Sequence, residues 1–274
     1  MTIDPTNILL TGRVAVVTGG GEGIGRGIAE GLSAFGASVA IWERNADTCA
    51  SAAQAIGALG IVTDVRDSEQ VDAAPERTVT EFGPVTILVN NAGGVFSSPL
   101  LETSENGWDA LYKSNLRHVL LCTQRVARRL AHADRPASVI NVTSIEGTRA
   151  APGYAAYAAA KAGVINYTKT AALELAPHKI RVNALAPDLT LTEGLLRVSP
   201  NGLPTSAGHM IPMGRPGHVD EMAGAAVFLA SDLSSYITGQ TIHVDGGTHA
   251  ASGWYHNPQT GDYQLGAADE RSTE

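Results

Sequence analysis

VAVVTGGGEGIG, residues 14–25, decides how this 274-residue chain folds. Its first five residues are small or β-branched without polar alternation, the pattern of a strand covered on both faces. Glycines follow, and then a helical pattern runs from about 24 to 35. Strand, glycine turn and helix in that order place the unpaired N–H groups of a helix start beside backbone that can bend sharply, an arrangement suited to a pyrophosphate. Gly19, Gly23 and Gly25 are spaced GxxxGxG; no register of these residues gives GxGxxG, although the same physics applies.

Outward from that unit, strand-like runs recur at 38–42, 60–63, 85–90, 137–143, 180–185 and 240–244. Helical stretches lie between them near 47–57, 68–81, 105–131, 154–176 and 219–231. Repeated alternation predicts an α/β, doubly wound parallel sheet. No linker and no solenoid repeat divides the chain, so residues 1–274 are expected to form one domain. The Gly-, Pro- and Leu-rich segment 188–218 reads as a lid over a site. Residues 248–274 form an extension in which Trp254 and Tyr255 are expected to pack and the last eight residues to be disordered.

A hydrophobic content of 44% supports a large core, and a net charge of -8 argues against nucleic acid or anionic lipid as a partner. The start MTIDPTNILLTG lacks signal-peptide character and no apolar run reaches membrane-spanning length, so a soluble cytoplasmic protein is expected. Cys49 and Cys122 read as reduced, packed thiols, and the eight histidines form no HxH or HExxH pair, so no metal is expected.

Residues 154–161 read YAAYAAAK, an alanine-rich helix entered through Pro152 and Gly153. Tyr157 and Lys161 stand one turn apart on one face, whereas Tyr154 is seven residues before the lysine. Glu43 ends the second strand, where a carboxylate accepts hydrogen bonds from an adenosine ribose and repels a 2′-phosphate. Glu22 in the glycine loop adds negative charge, and Arg44 is the counterweight. The expected cofactor is NAD, with NADP disfavoured.

Together these residues resemble the short-chain dehydrogenase/reductase family in its compact single-domain branch, over about Leu10 to Gly247. TGGGEGIG is similar to its TGxxxGxG loop, Asp64-Val65 to its adenine-contacting pair, and NNAG at 90–93 to the motif closing its fourth strand. Asn115 matches the helix asparagine, Ser144 the active-site serine, and Tyr157 with Lys161 the YxxxK pair. The resemblance implies a Rossmann-like sheet of about seven strands, a homotetramer and an NAD-dependent oxidoreductase. Cofactor contacts would come from Gly19, Glu22, Gly23, Ile24, Gly25, Glu43, Asp64, Val65, Asn91, Ala92, Gly93, Tyr157, Lys161, Pro187, Thr190 and Thr192. One departure is Asp188, which stands where the family commonly has glycine after Pro187. It is read as a cap of the lid's first turn, with a substrate contact as the other reading.

In that chemistry Tyr157 is the acid/base, its phenol pulled down from near pH 10 by cationic Lys161 and by oxidised nicotinamide. Ser144 would steady charge on the substrate oxygen, Lys161 would hold ribose hydroxyls, and Asn115 would hold a water in a proton path. Val95, Phe96, Glu146, Tyr154, Asp188, Leu189, Leu195 and Leu196 come from substrate-side segments, mostly apolar, which suggests a hydrophobic secondary alcohol or ketone. Glu146 is expected to be solvated or paired to Arg149 more than to bind substrate. The alternatives are an NADPH-dependent 3-oxoacyl thioester reductase and, from another class, a non-catalytic dinucleotide sensor.

Overall fold

The computed structural model describes residues 3–133, 135–198, 207–257 and 261–265. VAVVT forms β1 (Val14–Thr18), buried at all five positions, and the glycine loop leads into α1 (Gly23–Ala34). Then follow β2 (Ser38–Glu43), α2 (Ala46–Ile56), β3 (Leu59–Val62), α3 (Ser68–Phe82), β4 (Ile87–Asn90), α4 (Glu105–Tyr112), α5 (His118–Ala133) and β5 (Ala137–Val142). The second half adds α6 (Ala155–Leu175), β6 (Ile180–Pro187), α7 (Glu193–Val198), α8 (Ala207–Met210), α9 (Val219–Ala230), β7 (Thr241–Val244) and α10 (Thr248–Ala251). Polar side chains start several helices: Asn45, Asp67 and Ser104 each accept a hydrogen bond from the first-turn N–H groups of α2, α3 and α4.

The seven strands form one parallel sheet in the order β3-β2-β1-β4-β5-β6-β7, with helices on both faces. Connections run outward in opposite directions from β1 and β4, so the loops after these two strands diverge and leave a crevice between them. One face buries Ile28, Leu32, Ile41 and Val227, the other Trp42, Leu88, Val126 and Val182. Helix α1 lies close against α9 because Gly27 and Gly31 offer no side chain there. A Cβ on Gly27 would stand 2.6 Å from Val219 Cβ, and one on Gly31 2.8 Å from Ala223 Cβ.

Three segments differ from the sequence expectation. The helix expected over 105–131 is interrupted by a π-helical turn at Lys113–Arg117. Within the extension, Trp254–His256 (β8) and Tyr263–Leu265 (β9) pair as an antiparallel hairpin, and Trp254 stays half exposed instead of packing into a core. The expected lid contains α7 and α8, while its residues 199–206 and the last eight residues lie outside the described residues. Among the described residues no helix is long and apolar enough to cross a membrane.

Gly27→Ala tests the α1–α9 contact. Its methyl must displace Val219, so we expect a loss of about 1–3 kcal/mol in denaturant unfolding; unchanged stability would show that the two helices separate freely.

Candidate active site

The carboxyl ends of β1, β4, β5 and β6 converge on the crevice, and each carries polar side chains. Thr18, the last residue of β1, accepts hydrogen bonds on its hydroxyl from the N–H groups of Asn91 and Ala92, at 3.0 and 3.1 Å. The Asn91 amide donates to the Thr18 and Gly19 carbonyls, both at 3.1 Å, so the segment after β4 is tied to the glycine loop. Gly19, at φ +61°, is needed twice: a Cβ there would meet Ala92 Cα at 2.8 Å, and the backbone is left-handed. A Cβ on Gly25 would stand 2.2 Å from the Gly19 carbonyl oxygen. Ile24 packs partly into the core beneath this turn, and Val65 is buried.

Glu43 reaches the loop from the end of β2, accepting from Gly21 N–H at 3.3 Å and from Asn45 N–H at 3.0 Å. Glu22 is held from the lid by Arg197 at 2.7 Å. Beside it, the N–H of Gly23 at the start of α1 donates to the carboxylate of Glu193 at 3.1 Å. A carboxylate from α7 therefore already uses the α1 start as an anion site, and this donor set fits the phosphates of a dinucleotide. Asp64 is occupied by Arg66, whose Nη2 lies 2.5 Å from Oδ2; this pair and backbone help hold its carboxyl below the ordinary range. Sequence reading missed Thr18, Glu193 and Arg197; Thr18 was legible in the TG of the loop, whereas the two lid residues carry no local signal.

Deeper in the crevice, Lys161 is buried on α6 and its Nζ donates to the Val142 carbonyl at the end of β5, 3.0 Å away. Thr143 Oγ1 donates in turn to the Lys161 carbonyl at 2.8 Å. Tyr157, one turn earlier, lies with its ring centroid 5.6 Å from Nζ, and the Ser144 hydroxyl is near enough to its phenol to favour the phenolate. Asn115 sits in the π turn, buried, where its Nδ2 donates to the carbonyls of Gly94 at 2.8 Å and Leu111 at 3.0 Å. Gly93 passes between them: a Cβ there would lie 2.8 Å from Asn115 Oδ1 and 3.7 Å from Lys161 Nζ. The structure thus brings Asn115, Ser144, Tyr157 and Lys161 to one place.

The electrostatics differ from expectation. Burial pushes the Tyr157 phenol up, and Glu146 adds to the rise; the hydrogen bond from Ser144 works the other way. Lys161 Nζ is turned toward the Val142 carbonyl. Burial brings Lys161 itself down to about 8. His118, at the start of α5, is driven to about 3 by burial and then by Lys161, and is neutral at pH 7.

The substrate side also differs. Glu146 pairs with Arg149 at 2.7 Å, as expected, but Arg149 also lies 3.7 Å from Asp188. Asp188 does not cap the lid: Thr192 Oγ1 accepts the Leu195 N–H of α7 at 3.1 Å, and Asp188 faces Arg149 and the Thr248 hydroxyl. The buried Thr190 hydroxyl donates to the Asp188 carbonyl at 3.1 Å, just beyond buried Pro187. Leu189 bonds through its carbonyl to Gly217 N–H at 2.9 Å. Val95, Phe96, Tyr154 and Leu196 are 39–52% exposed, so the apolar wall expected here is open.

The family model described as Enoyl-(Acyl carrier protein) reductase matches residues 19–249. The 3-oxoacyl-(acyl-carrier-protein) reductase FabG of Chlamydia muridarum is 39% identical over 250 residues, 88% of this chain and 99% of that protein. Gluconate 5-dehydrogenase of Gluconobacter oxydans is 38% identical over 249 residues, covering 89% and 97%. Among solved structures, a gluconate 5-dehydrogenase from Burkholderia cenocepacia in complex with NADP and tartrate superposes with a TM-score of 0.84 at 36% identity, over 90% of this chain and 98% of that one. A short-chain type dehydrogenase/reductase from Mycobacterium marinum gives 0.83 at 32% identity, over 88% and 97%.

Two measurements follow from this geometry. Glu193→Gln weakens the built-in anion on Gly23, so dinucleotide should bind about threefold to tenfold tighter by calorimetry; equal or weaker affinity would show that Glu193 does not compete. Lys161 holds its proton to about 8 when folded against 10.5 for the free side chain, so across that window only the unfolded chain binds the proton and stability rises with pH. The stability of wild type relative to Lys161→Met should therefore improve from about pH 8 to 10 in denaturant titrations, and a flat difference would contradict the burial of a charged lysine.

Proposed function

The chain belongs to the short-chain dehydrogenase/reductase family, and from that premise we propose that it is an NAD-dependent oxidoreductase interconverting a secondary alcohol and a ketone. The observation that carries the reading is the meeting of Tyr157, Ser144, Lys161 and Asn115 deep in the crevice that the glycine loop borders. The bound dinucleotide supplies the hydride acceptor or donor. Its phosphates would be held by the loop Gly19–Gly25 and the start of α1, its adenosine by Glu43, Asp64 and Val65. Asn91, Ala92, Gly93, Pro187, Thr190 and Thr192 would line its nicotinamide half.

Tyr157 takes the hydroxyl proton of the alcohol in oxidation and returns it in reduction. Ser144, beside that phenol, donates to the substrate oxygen as charge develops there. Lys161 contributes a cation one turn away and would hold the ribose hydroxyls, and Asn115, anchored on the Gly94 carbonyl, would hold a water in the proton path. In the protein alone burial opposes the phenolate, so the positive charge of the oxidised ring is the term that would favour it.

Glu43, already turned onto the glycine loop, supports NAD over NADP through repulsion of a 2′-phosphate. The relatives named FabG and the neighbour in complex with NADP favour a second reading, an NADPH-dependent 3-oxoacyl thioester reductase. Half-exposed Trp108, Tyr112 and Leu120 on α4 and α5 support a homotetramer assembled through those helices. We take the whole chain as one cytoplasmic catalytic unit.

Absorbance at the reduced nicotinamide band, followed over secondary alcohols with NAD and NADP in parallel, tests the reading. NAD should exceed NADP by at least about tenfold in kcat/KM, and Tyr157→Phe should lower kcat by about 10²–10³. A clear preference for NADP(H) with 3-oxoacyl thioester turnover would transfer the assignment to the second reading, and full activity of Tyr157→Phe would remove Tyr157 from the mechanism.

A further inference from the structure

Three ionisable side chains stand at the reacting end of the crevice that neither the proton transfer nor the cofactor uses. Glu146 follows the active-site serine by two residues, and its N–H donates to Ser144 Oγ at 3.2 Å. Its carboxylate is close enough to Tyr157 to disfavour the phenolate. Arg149 donates to Glu146 Oε1 through Nη2 at 2.7 Å and Nε at 3.3 Å. Asp188 starts immediately beyond the end of β6, on the strand next to β5, and its Oδ1 lies 3.7 Å from Arg149 Nη2. Side-chain exposures of 25%, 35% and 10% show that all three are largely withdrawn from water while keeping some accessible surface.

Partial burial of three charges is costly unless a ligand or the chain completes their hydrogen bonds. Glu146 and Asp188 offer acceptors and Arg149 offers donors within one short span. A ligand group that matches both must donate and accept. A hydroxyl does so; a second carboxylate could only accept, against two carboxylates, and an ammonium could only donate, against a guanidinium. A methylene or methyl would shed the water around all three without replacing it.

We propose that Glu146, Arg149 and Asp188 select substrates bearing an uncharged hydroxyl on the carbon next to the reacting carbinol, that is, vicinal diols and polyols or the corresponding hydroxyketones. The inference rests on the dehydrogenase reading of this site and narrows its substrate class. It replaces the hydrophobic alcohol suggested by the apolar substrate-side residues, because Glu146, whose N–H donates to Ser144 Oγ, brings this charged cluster beside the active-site serine. It also separates this site from a 3-oxoacyl thioester, which has no hydroxyl at that carbon.

Four probes share one carbinol and differ only in the neighbouring carbon: propylene glycol, isopropanol, lactate and isopropanolamine, with sorbitol as a longer polyol. With NAD-loaded enzyme, kcat/KM for propylene glycol should exceed that for each of the other three-carbon probes by about tenfold or more, chiefly through KM, since a site that hydrogen-bonds a substrate hydroxyl rejects analogues lacking it. In the double variant Glu146→Gln with Asp188→Asn, the discrimination against lactate should shrink by about tenfold, because the opposing charges are gone. Arg149→Met, which removes the donors, should bring propylene glycol down toward isopropanol.

Saturation-transfer NMR on the loaded protein supplies a readout independent of turnover. Binding of propylene glycol and sorbitol over isopropanol and lactate, lost in the variants, would support the selection even if no probe turned over, and the oxidoreductase reading alone would then fail. Turnover of isopropanol or lactate as efficient as that of propylene glycol would overturn the selection while leaving the dehydrogenase intact. Preference for isopropanolamine would overturn it in favour of a cationic substrate, and equal binding of every probe would overturn it outright.

Discussion

The ammonium of Lys161 is withdrawn from water and donates to the carbonyl of Val142, and much of the site depends on that placement. A buried cation is costly, and the chain answers by holding α6 to the end of β5 through the side chain and through the Thr143 hydroxyl on the Lys161 carbonyl. With this seam fixed, Tyr157 is fixed one turn earlier, facing Ser144 just past the end of β5. The segment after β4 has to pass the lysine and Asn115 closely, and only glycine at 93 leaves room. Asn115 in turn sits where the helix pattern slips by one residue, so that its amide reaches back to Gly94. Buried polar bonds extend the same logic under the site: Asn90 donates to Asn141 and Asn141 to Thr168, locking β4, β5 and α6 in one register.

At the other side of the crevice the constraint is backbone distance. Gly19 and Gly25 let the first turn fold onto itself, and Asn91 stitches it to the end of β4. The lid is joined to this turn by charge: Glu193 takes the Gly23 N–H and Arg197 takes Glu22. An exposed pair such as Arg197 with Glu22 adds little to stability. Its consequence is positional, since it brings α7 to the start of α1, where the lid and an incoming anion address the same donor.

Much of this was legible in the residues. The seven strands and the doubly wound architecture followed from all-apolar β-branched runs alternating with helical periods, because strands covered on both faces carry no competing surface pattern. The Tyr157–Lys161 relation was legible because an i, i+4 spacing on a helix is a fixed distance, and the Glu146–Arg149 pair was legible for a related local reason. The π turn at Lys113–Arg117 was not, since its bonds differ from those of an α-helix by one residue and leave no mark on composition. Nor was the hairpin Trp254–Leu265, whose strands are three residues each. Asp188 was read as a helix cap from its type and position; Thr192 holds that place because α7 begins at Glu193, and the freed carboxylate turns to Arg149 instead.

The sequence by itself determined the fold class, the glycine turn and the Tyr157–Lys161 pair, because each depends on periodicity or on spacing within one element, while Asn115 and Ser144 came from the family resemblance. Only the tertiary structure decided their electrical state and company. Burial depth sets whether Tyr157 and Lys161 favour their neutral forms, and depth is a property of everything packed above them. The meeting of Glu146 and Arg149 with Asp188, and of Glu193 with Gly23, likewise joins residues far apart in the chain through the parallel order of β5 and β6 and the fold of the lid. Distances of that kind are fixed by topology and not by neighbours in sequence, and here they set the charge around the reacting oxygen.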